Sequence, residues 1–210
     1  RTVITYHFYE PPQFTAASQV ASHALEAKRL GMAAFLGETE SLWAPPASER
    51  MNFTDACDAH LQGWADWAWK SFERMGPEDS ESVSQYYEWG APKTGHGKDW
   101  EGTKPPDYYS TALARTYAPK VVGAHVKMHF DAPSSAFELQ YDVGSIDPAV
   151  ATEIFVWPAR YTGGAVVSVS ASVGDVNVDY DGQSQWVSVY AGEGLQVGAR
   201  VTVHITKKAQ

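Results

Sequence analysis

The chain has 210 residues, enough for one large or two modest domains, and its 44% hydrophobic content is that of a packed globular protein, which excludes wholesale disorder. A formal charge of -9, with Lys and Arg scattered singly, leaves no basic patch to neutralise phosphates and argues against a nucleic-acid partner. Aromatic residues make up 13% of the chain, with 8 Trp and 11 Tyr; such rings fill cores, and their planes also stack on the C–H faces of sugars, so carbohydrate is a natural partner.

In chain order, Thr2 to Tyr9 is β-branched and aromatic and is stopped by Pro11-Pro12, which predicts a strand. From Thr15 to Leu30 the apolar residues Val20, Ala21, Ala24, Ala27 and Leu30 recur at helical spacing, with Gly31 where a helix C′ residue belongs. The next segment, Gly31 to Gly37, is a nearly unbroken apolar run of the kind buried on both faces of a parallel sheet, and it ends in Glu38. A loop through Pro45-Pro46 leads to a short predicted helix, Thr54 to Gln62, with Thr54 as N-cap and Asp55 and Asp58 near its positive end. Gly63 to Lys70 reads as a third strand, Glu73 to Pro106 as a long loop, and Tyr108 to Tyr117 as a last helix.

Beyond Pro119 the pattern changes to short alternating strands: Val121–Phe130, Ala136–Val143, Thr152–Trp157, Ala165–Ser172, Val176–Tyr180, Trp186–Tyr190 and Ala199–Thr206. Val201, Val203 and Ile205 face one way, Thr202, His204 and Thr206 the other, and seven such strands fit an antiparallel β-sandwich over residues 119–210. Residues 1–118 follow the β-α-β order of a (β/α)₈ barrel, giving an α/β plus all-β chain. Three strand–helix units leave bare edges, so another polypeptide is expected to complete the barrel.

Barrel active sites lie at the C-terminal ends of the strands, and the three predicted strands end in His7 and Tyr9, in Glu38, and in Trp67 and Trp69. A carboxylate, a hydroxyl to orient it and a stacking plane are the parts of a sugar-cleaving site, although each residue alone also reads as packing or as a solvated loop position.

The segments His7–Tyr9, Phe35–Glu40, Gly63–Lys70, Arg115–Tyr141 and Ala151–Val156, in this order, resemble the C-terminal half of the endoglycoceramidase-type enzymes of glycoside hydrolase family 5. The resemblance implies strands 6 to 8 of the barrel followed by a sandwich, with Glu38 as the nucleophile of a retaining β-glycosidase. It implies that Tyr9 donates a hydrogen bond to Glu38, that His7 lies beside the bound sugar, and that Trp67 forms the floor beneath it. The family commonly shows Thr-Glu-Phe-Gly at the nucleophile, whereas this chain has Gly37-Glu38-Thr39-Glu40, which makes Glu40 a competitor; alignment on Phe35-Leu36 favours Glu38. The family's acid/base Glu follows an Asn, but Asn52 and Asn177 here precede Phe and Val, so that carboxyl is expected from the N-terminal polypeptide that completes the barrel.

The substrate implied is a glycolipid cleaved between glycan and ceramide, with a β-glucosidase of glucosylceramide or steryl glucoside, and a non-catalytic structural or carbohydrate-binding relative, as alternatives. Trp43, Trp89 and Trp100 are candidates to touch an aglycone, and the loop from Gly90 to Gly102, which lacks a phosphate-loop pattern, reads as a lid. No cofactor or metal is expected: His96, His125, His129 and His204 lack ligand spacing and read as surface or core histidines. No apolar run is long enough to span a bilayer, though contact with a membrane surface stays open. The sequon Asn52-Phe53-Thr54 leans the location towards a secreted or lysosomal/vesicular one without deciding it. Cys57, the one cysteine, is either a buried thiol or half of a bridge to another segment.

Overall fold

The strand, helix and strand expected first are present in the computed structural model, which describes residues 2–8, 15–39, 47–66, 113–182 and 184–209. Tyr9, Glu40, Trp43, Trp67, Trp69, Trp89, Trp100, His96, the loop from 90 to 102 and the predicted helix as far as residue 112 lie outside the described residues. The chain divides into two compact units, Arg1–Leu113 and Ala114–Gln210.

In the first unit, β1 (Val3–Phe8), α1 (Ala16–Leu30), β2 (Ala33–Thr39), α2 (Ala47–Ala59) and β3 (Gly63–Asp66) follow in turn. The strands form a parallel sheet in the order β1-β2-β3, with the helices as crossovers. Thr15 caps α1: its side chain accepts from Ser18 N–H at 3.2 Å and the Ser18 hydroxyl accepts from Thr15 N–H at 3.2 Å, which satisfies donors that a helix N-terminus leaves orphaned. Gly31 ends the helix at φ 66°, a left-handed conformation that suits glycine, and Met32 N–H then reaches back to the Ala27 carbonyl at 2.9 Å. Val20 and Ala27 are buried as the periodicity implies, but Leu30, in the last turn, is exposed.

Two expectations for this unit are corrected. The helix α2 starts seven residues before Thr54, because Ala47 to Met51 continues in helix directly after Pro45-Pro46, and prolines are tolerated at a helix entrance. Thr54 is therefore no N-cap but a fully buried residue inside α2, and Asp55 and Asp58 lie towards the helix's C-terminal end. Phe53 is buried as well, so the folded helix exposes Asn52 but not the Thr54 hydroxyl that completes the sequon. The second correction concerns β2, which is covered on one face only among the described residues. Tyr6, Phe8 and Leu36 join Ala16, Val20, Phe53, Ala56 and Cys57 in the core beneath the helices, whereas Val3 and Phe35 on the opposite face stay exposed. Cys57 is buried, and the chain has no second cysteine for it to bridge.

The second unit is antiparallel. Its strands are β4 (Tyr117–Lys120), β5 (Gly123–Asp131), β6 (Ala136–Val143), β7 (Thr152–Phe155), β8 (Ala165–Ala171), β9 (Val176–Asp179), β10 (Trp186–Ala191) and β11 (Arg200–Lys207). They pair as two four-stranded sheets, β4-β7-β10-β9 and β5-β6-β11-β8. Seven of the eight match the predicted runs; β4 went unpredicted because it contains Pro119, and Pro is tolerated there because β4 is an edge strand. Tyr117 accordingly starts a strand rather than ending a helix. Alternate residues are buried, Phe137, Leu139, Tyr141 and Val143 on β6 and Val201, Val203 and Ile205 on β11. His204 and His129 both stand opposite Glu138 of β6, on the other face from that apolar row.

Buried polar groups pin the segment that enters β4. The Arg115 guanidinium donates to the Phe130 carbonyl at 3.1 Å, and Arg160 donates to the Ala114 and Ala132 carbonyls, both at 2.9 Å. Both guanidinium groups also lie over the Phe130 ring, at 5.2 and 5.4 Å from its centroid. The Tyr161 hydroxyl donates to the Ser135 carbonyl at 2.8 Å, which leaves Thr116 Oγ1 to donate to that hydroxyl at 3.0 Å.

Ser135 closes the β5–β6 turn at φ 62°, fully buried, and its Oγ has no hydrogen-bond partner among the described residues. Glycine removes both the left-handed penalty and the orphaned hydroxyl. Ser135→Gly is expected to stabilise the chain by about 1 kcal/mol, read as a higher urea midpoint at unchanged slope; a lower midpoint would show that the hydroxyl has a role in the fold.

Candidate active site

The Tyr6 hydroxyl, beneath the helices, donates to Gln62 Oε1 at 2.8 Å, and Gln62 Nε2 donates to the Val20 carbonyl at 3.0 Å. Both side chains are buried, so this chain of hydrogen bonds ties β1 to α1 and to the turn that enters β3, where neither group can fall back on water. The His23 ring stacks on Tyr6 with centroids 3.9 Å apart. Burial, and secondarily the neighbouring Cys57 thiol, push the Tyr6 phenol well above its ordinary value.

Above this floor the strands alternate, so side chains at even positions of β1, Tyr6 and Phe8, enter the core and His7 points to the opposite face. On β2 the same alternation sends Ala34 and Leu36 to the core, and an unbroken strand would send Glu38 there too. It does not, because Tyr6 pairs with Leu36 but His7 pairs with Glu38, one residue further than a regular ladder allows. The β3 side agrees: Leu36 pairs with Trp64 and Thr39 with Asp66, three residues on β2 against two on β3. Gly37 is the extra residue of a β-bulge. As a result Thr39 takes the buried position opposite Phe8, and Glu38 joins His7 on the other face.

His7 Nδ1 and Glu38 Oε2 are 3.2 Å apart, with side chains 50% and 30% exposed, near the C-terminal ends of adjacent parallel strands. Glu38 lies within β2 rather than just past its end, since the strand runs on through Thr39. Of the expected site residues, the structure thus brings His7 and Glu38 together, while Tyr9 and Trp67 lie outside the described residues. The bulge itself was not expected, although a glycine at the end of a strand pattern is its usual sign. Chemically, a partly exposed carboxylate beside an imidazole can attack or stabilise an electrophilic carbon, and the imidazole can hold the carboxylate's orientation or a ligand hydroxyl.

Residues 115–205 match the glycoside hydrolase family 5 C-terminal domain. The endoglycoceramidase of Cyanea nozakii is 28% identical over 145 residues, which cover 68% of this chain and 26% of that protein. The endoglycoceramidase of Hydra vulgaris is 27% identical over 150 residues, 69% of this chain and 25% of that protein. Among solved structures, endo-glycoceramidase II from Rhodococcus sp., as its lactosyl-enzyme intermediate, superposes with a TM-score of 0.64 at 21% identity, over 99% of this chain and 42% of that one. Sterylglucosidase 1 of Cryptococcus neoformans gives 0.66 at 15% identity, over 92% of this chain and 31% of that one. These matches show that residues 115–205 resemble the C-terminal domain of glycoside hydrolase family 5 and that the chain is similar to part of larger endoglycoceramidases. The chain spans about a quarter of the length of the curated relatives it matches.

The Tyr6–Gln62 link generates two expectations. Gln62→Leu orphans the buried Tyr6 hydroxyl and Val20 carbonyl, which should cost about 1–3 kcal/mol in urea denaturation. The folded Tyr6 phenol ionises above its unfolded value of about 10, so its contribution is complete at neutral pH and is lost as pH rises from there through the folded value. Stability measured above pH 10 should therefore fall more steeply in the wild type than in Tyr6→Phe; equal slopes would mean that Tyr6 is not protected.

Proposed function

We propose that this chain contributes the nucleophile of a retaining β-glycosidase acting on glycolipids, and that Glu38 is that nucleophile. The observation that carries the reading is the placement of Glu38 beside His7, 3.2 Å away, at the C-terminal ends of neighbouring parallel strands. In this reading the β1-β2-β3 sheet with its helices is the last part of a (β/α)₈ barrel, residues 1–118, and the two antiparallel sheets make a β-sandwich, residues 119–210. The exposure of Val3 and Phe35 on the outer face of the parallel sheet, among the described residues, is consistent with it, because in a closed barrel that face is packed by the remaining strands' side chains.

In the proposed mechanism Glu38 attacks the anomeric carbon as the aglycone leaves, forming a glycosyl-enzyme, and water then hydrolyses that ester. The lactosyl-enzyme intermediate named for the Rhodococcus relative supports such a covalent step. A second carboxyl about 5–5.5 Å from Glu38 must protonate the leaving oxygen and then activate the water. No Asn-Glu pair occurs in the 210 residues, and the relatives are much longer, so we place that acid/base on the polypeptide that completes the barrel. His7 steadies Glu38 and faces the sugar, with Tyr9 and Trp67 as hydrogen-bond donor and floor.

The endoglycoceramidase relatives favour a glycan–ceramide bond as the target, and the likeness in fold to a sterylglucosidase keeps a glucosyl-lipid or glucosyl-sterol in the test set. The test uses the protein with its barrel complete, incubated with a fluorescent long-chain glycosphingolipid, β-glucosylceramide and a steryl glucoside. Glu38→Gln is expected to lower turnover of the preferred substrate at least about a thousandfold, or about 4 kcal/mol of barrier. Azide added to Glu38→Ala should restore cleavage as the α-glycosyl azide. Unchanged turnover in Glu38→Gln removes Glu38 from the mechanism, and a wild type inert on all three lipids favours a binding or structural role.

A further inference from the structure

The bulge that turns Glu38 towards His7 depends on the absence of a side chain at one point. A Cβ on Gly37 would collide with Thr5 Oγ1, and it would also stand 3.6 Å from both Cδ2 and Nε2 of His7. Gly37 thus lies under two side chains of β1, one of which holds Glu38. The three atoms nearest the missing Cβ, its chain neighbours aside, are side-chain atoms of Thr5 and His7 across the strand pair.

We propose that Gly37 positions Glu38 and must be glycine because Thr5 fills the space a side chain would need; the inference rests on the reading of Glu38 as the nucleophile. A side chain at Gly37 must displace Thr5 or flatten the bulge. The first shifts β1 two residues before His7 and so disturbs its 3.2 Å contact with Glu38. The second restores regular alternation, which returns Glu38 to the core face and puts Thr39 in its place. Either displaces the attacking oxygen by an amount that a reaction dependent on alignment feels strongly, whereas substrate contacts made elsewhere in the barrel persist. Gly37 therefore acts on the chemical step and not on binding.

The experiment measures kcat and KM separately in the protein with its barrel complete, for Gly37→Ala, Thr5→Ala and the double variant, with Glu38→Gln as control. Gly37→Ala is expected to lower kcat by about 100-fold, the scale of a misplaced reacting group, with KM within about threefold of wild type. Thr5→Ala alone removes the obstructing hydroxyl and should remain near wild type. In the double variant, kcat should recover most of the loss, which a general destabilisation by Gly37→Ala does not explain. Should Gly37→Ala fail to fold, Thr5→Leu crowds the same point from β1 and should lower kcat in the same way. Wild-type kcat in Gly37→Ala, no recovery in the double variant, or wild-type kcat in Thr5→Leu overturns the inference. An active Glu38→Gln instead overturns the nucleophile reading, so the two failures are distinguishable.

Discussion

One extra residue in a parallel sheet decides what the first unit can do. A strand alternates its side chains with a period of two, so Leu36 and Glu38 would share the core face of β2 if the ladder were regular. A carboxylate there would be buried among Tyr6, Phe8, Val20 and Phe53, where an ionised group without a partner is costly. The bulge at Gly37 removes that conflict by reversing the faces after Leu36: the small hydroxyl of Thr39 goes inside and the charge comes out beside His7. The same shift appears in the pairing with β1 and with β3, so it belongs to β2 and not to one irregular contact.

The bulge holds a register only if the strands on either side are themselves fixed. The hydrogen bonds from Tyr6 to Gln62 and from Gln62 to Val20 do this from below, joining β1, the entrance to β3 and the middle of α1 in one buried polar chain. They attach to the residue directly before His7, so the element that carries the imidazole is anchored next to the point where it meets Glu38. Apolar burial alone is non-directional and would allow β1 to slide; a buried donor and acceptor with no access to water do not.

The second unit relies on the same economy of buried polar groups. Arg115 and Arg160 spend their donors on backbone carbonyls around Phe130, and Tyr161 bridges Thr116 to the turn between β5 and β6. These contacts gather the entrance of β4, the β5–β6 hairpin and the 3₁₀ turn at Pro158–Arg160, segments far apart in sequence. All but the Ala114 carbonyl fall within the 115–205 stretch that matches the glycoside hydrolase family 5 C-terminal domain. On the solvent face of the other sheet, Tyr117, Phe155 and Trp186 stand in register across β4, β7 and β10, with ring centroids 5.3–5.6 Å apart.

The sequence by itself determined the local pieces. Period-two and period-3.6 patterns located α1 and seven of the antiparallel strands, and Thr15 and Gly31 marked the ends of α1, because capping and alternation are written in neighbouring residues. The residue patterns at His7–Tyr9 and Phe35–Glu40 mark His7 and Glu38 as strand-end residues. Where a local pattern had two solutions, the sequence misled: Pro45-Pro46 read as a loop hid the start of α2, and Pro119 hid β4, since only the edge position of that strand makes proline tolerable. Tertiary structure alone decided which face Glu38 occupies. That outcome depends on counting residues across three hydrogen-bonded strands, a comparison between segments some thirty positions apart that no single stretch of sequence contains.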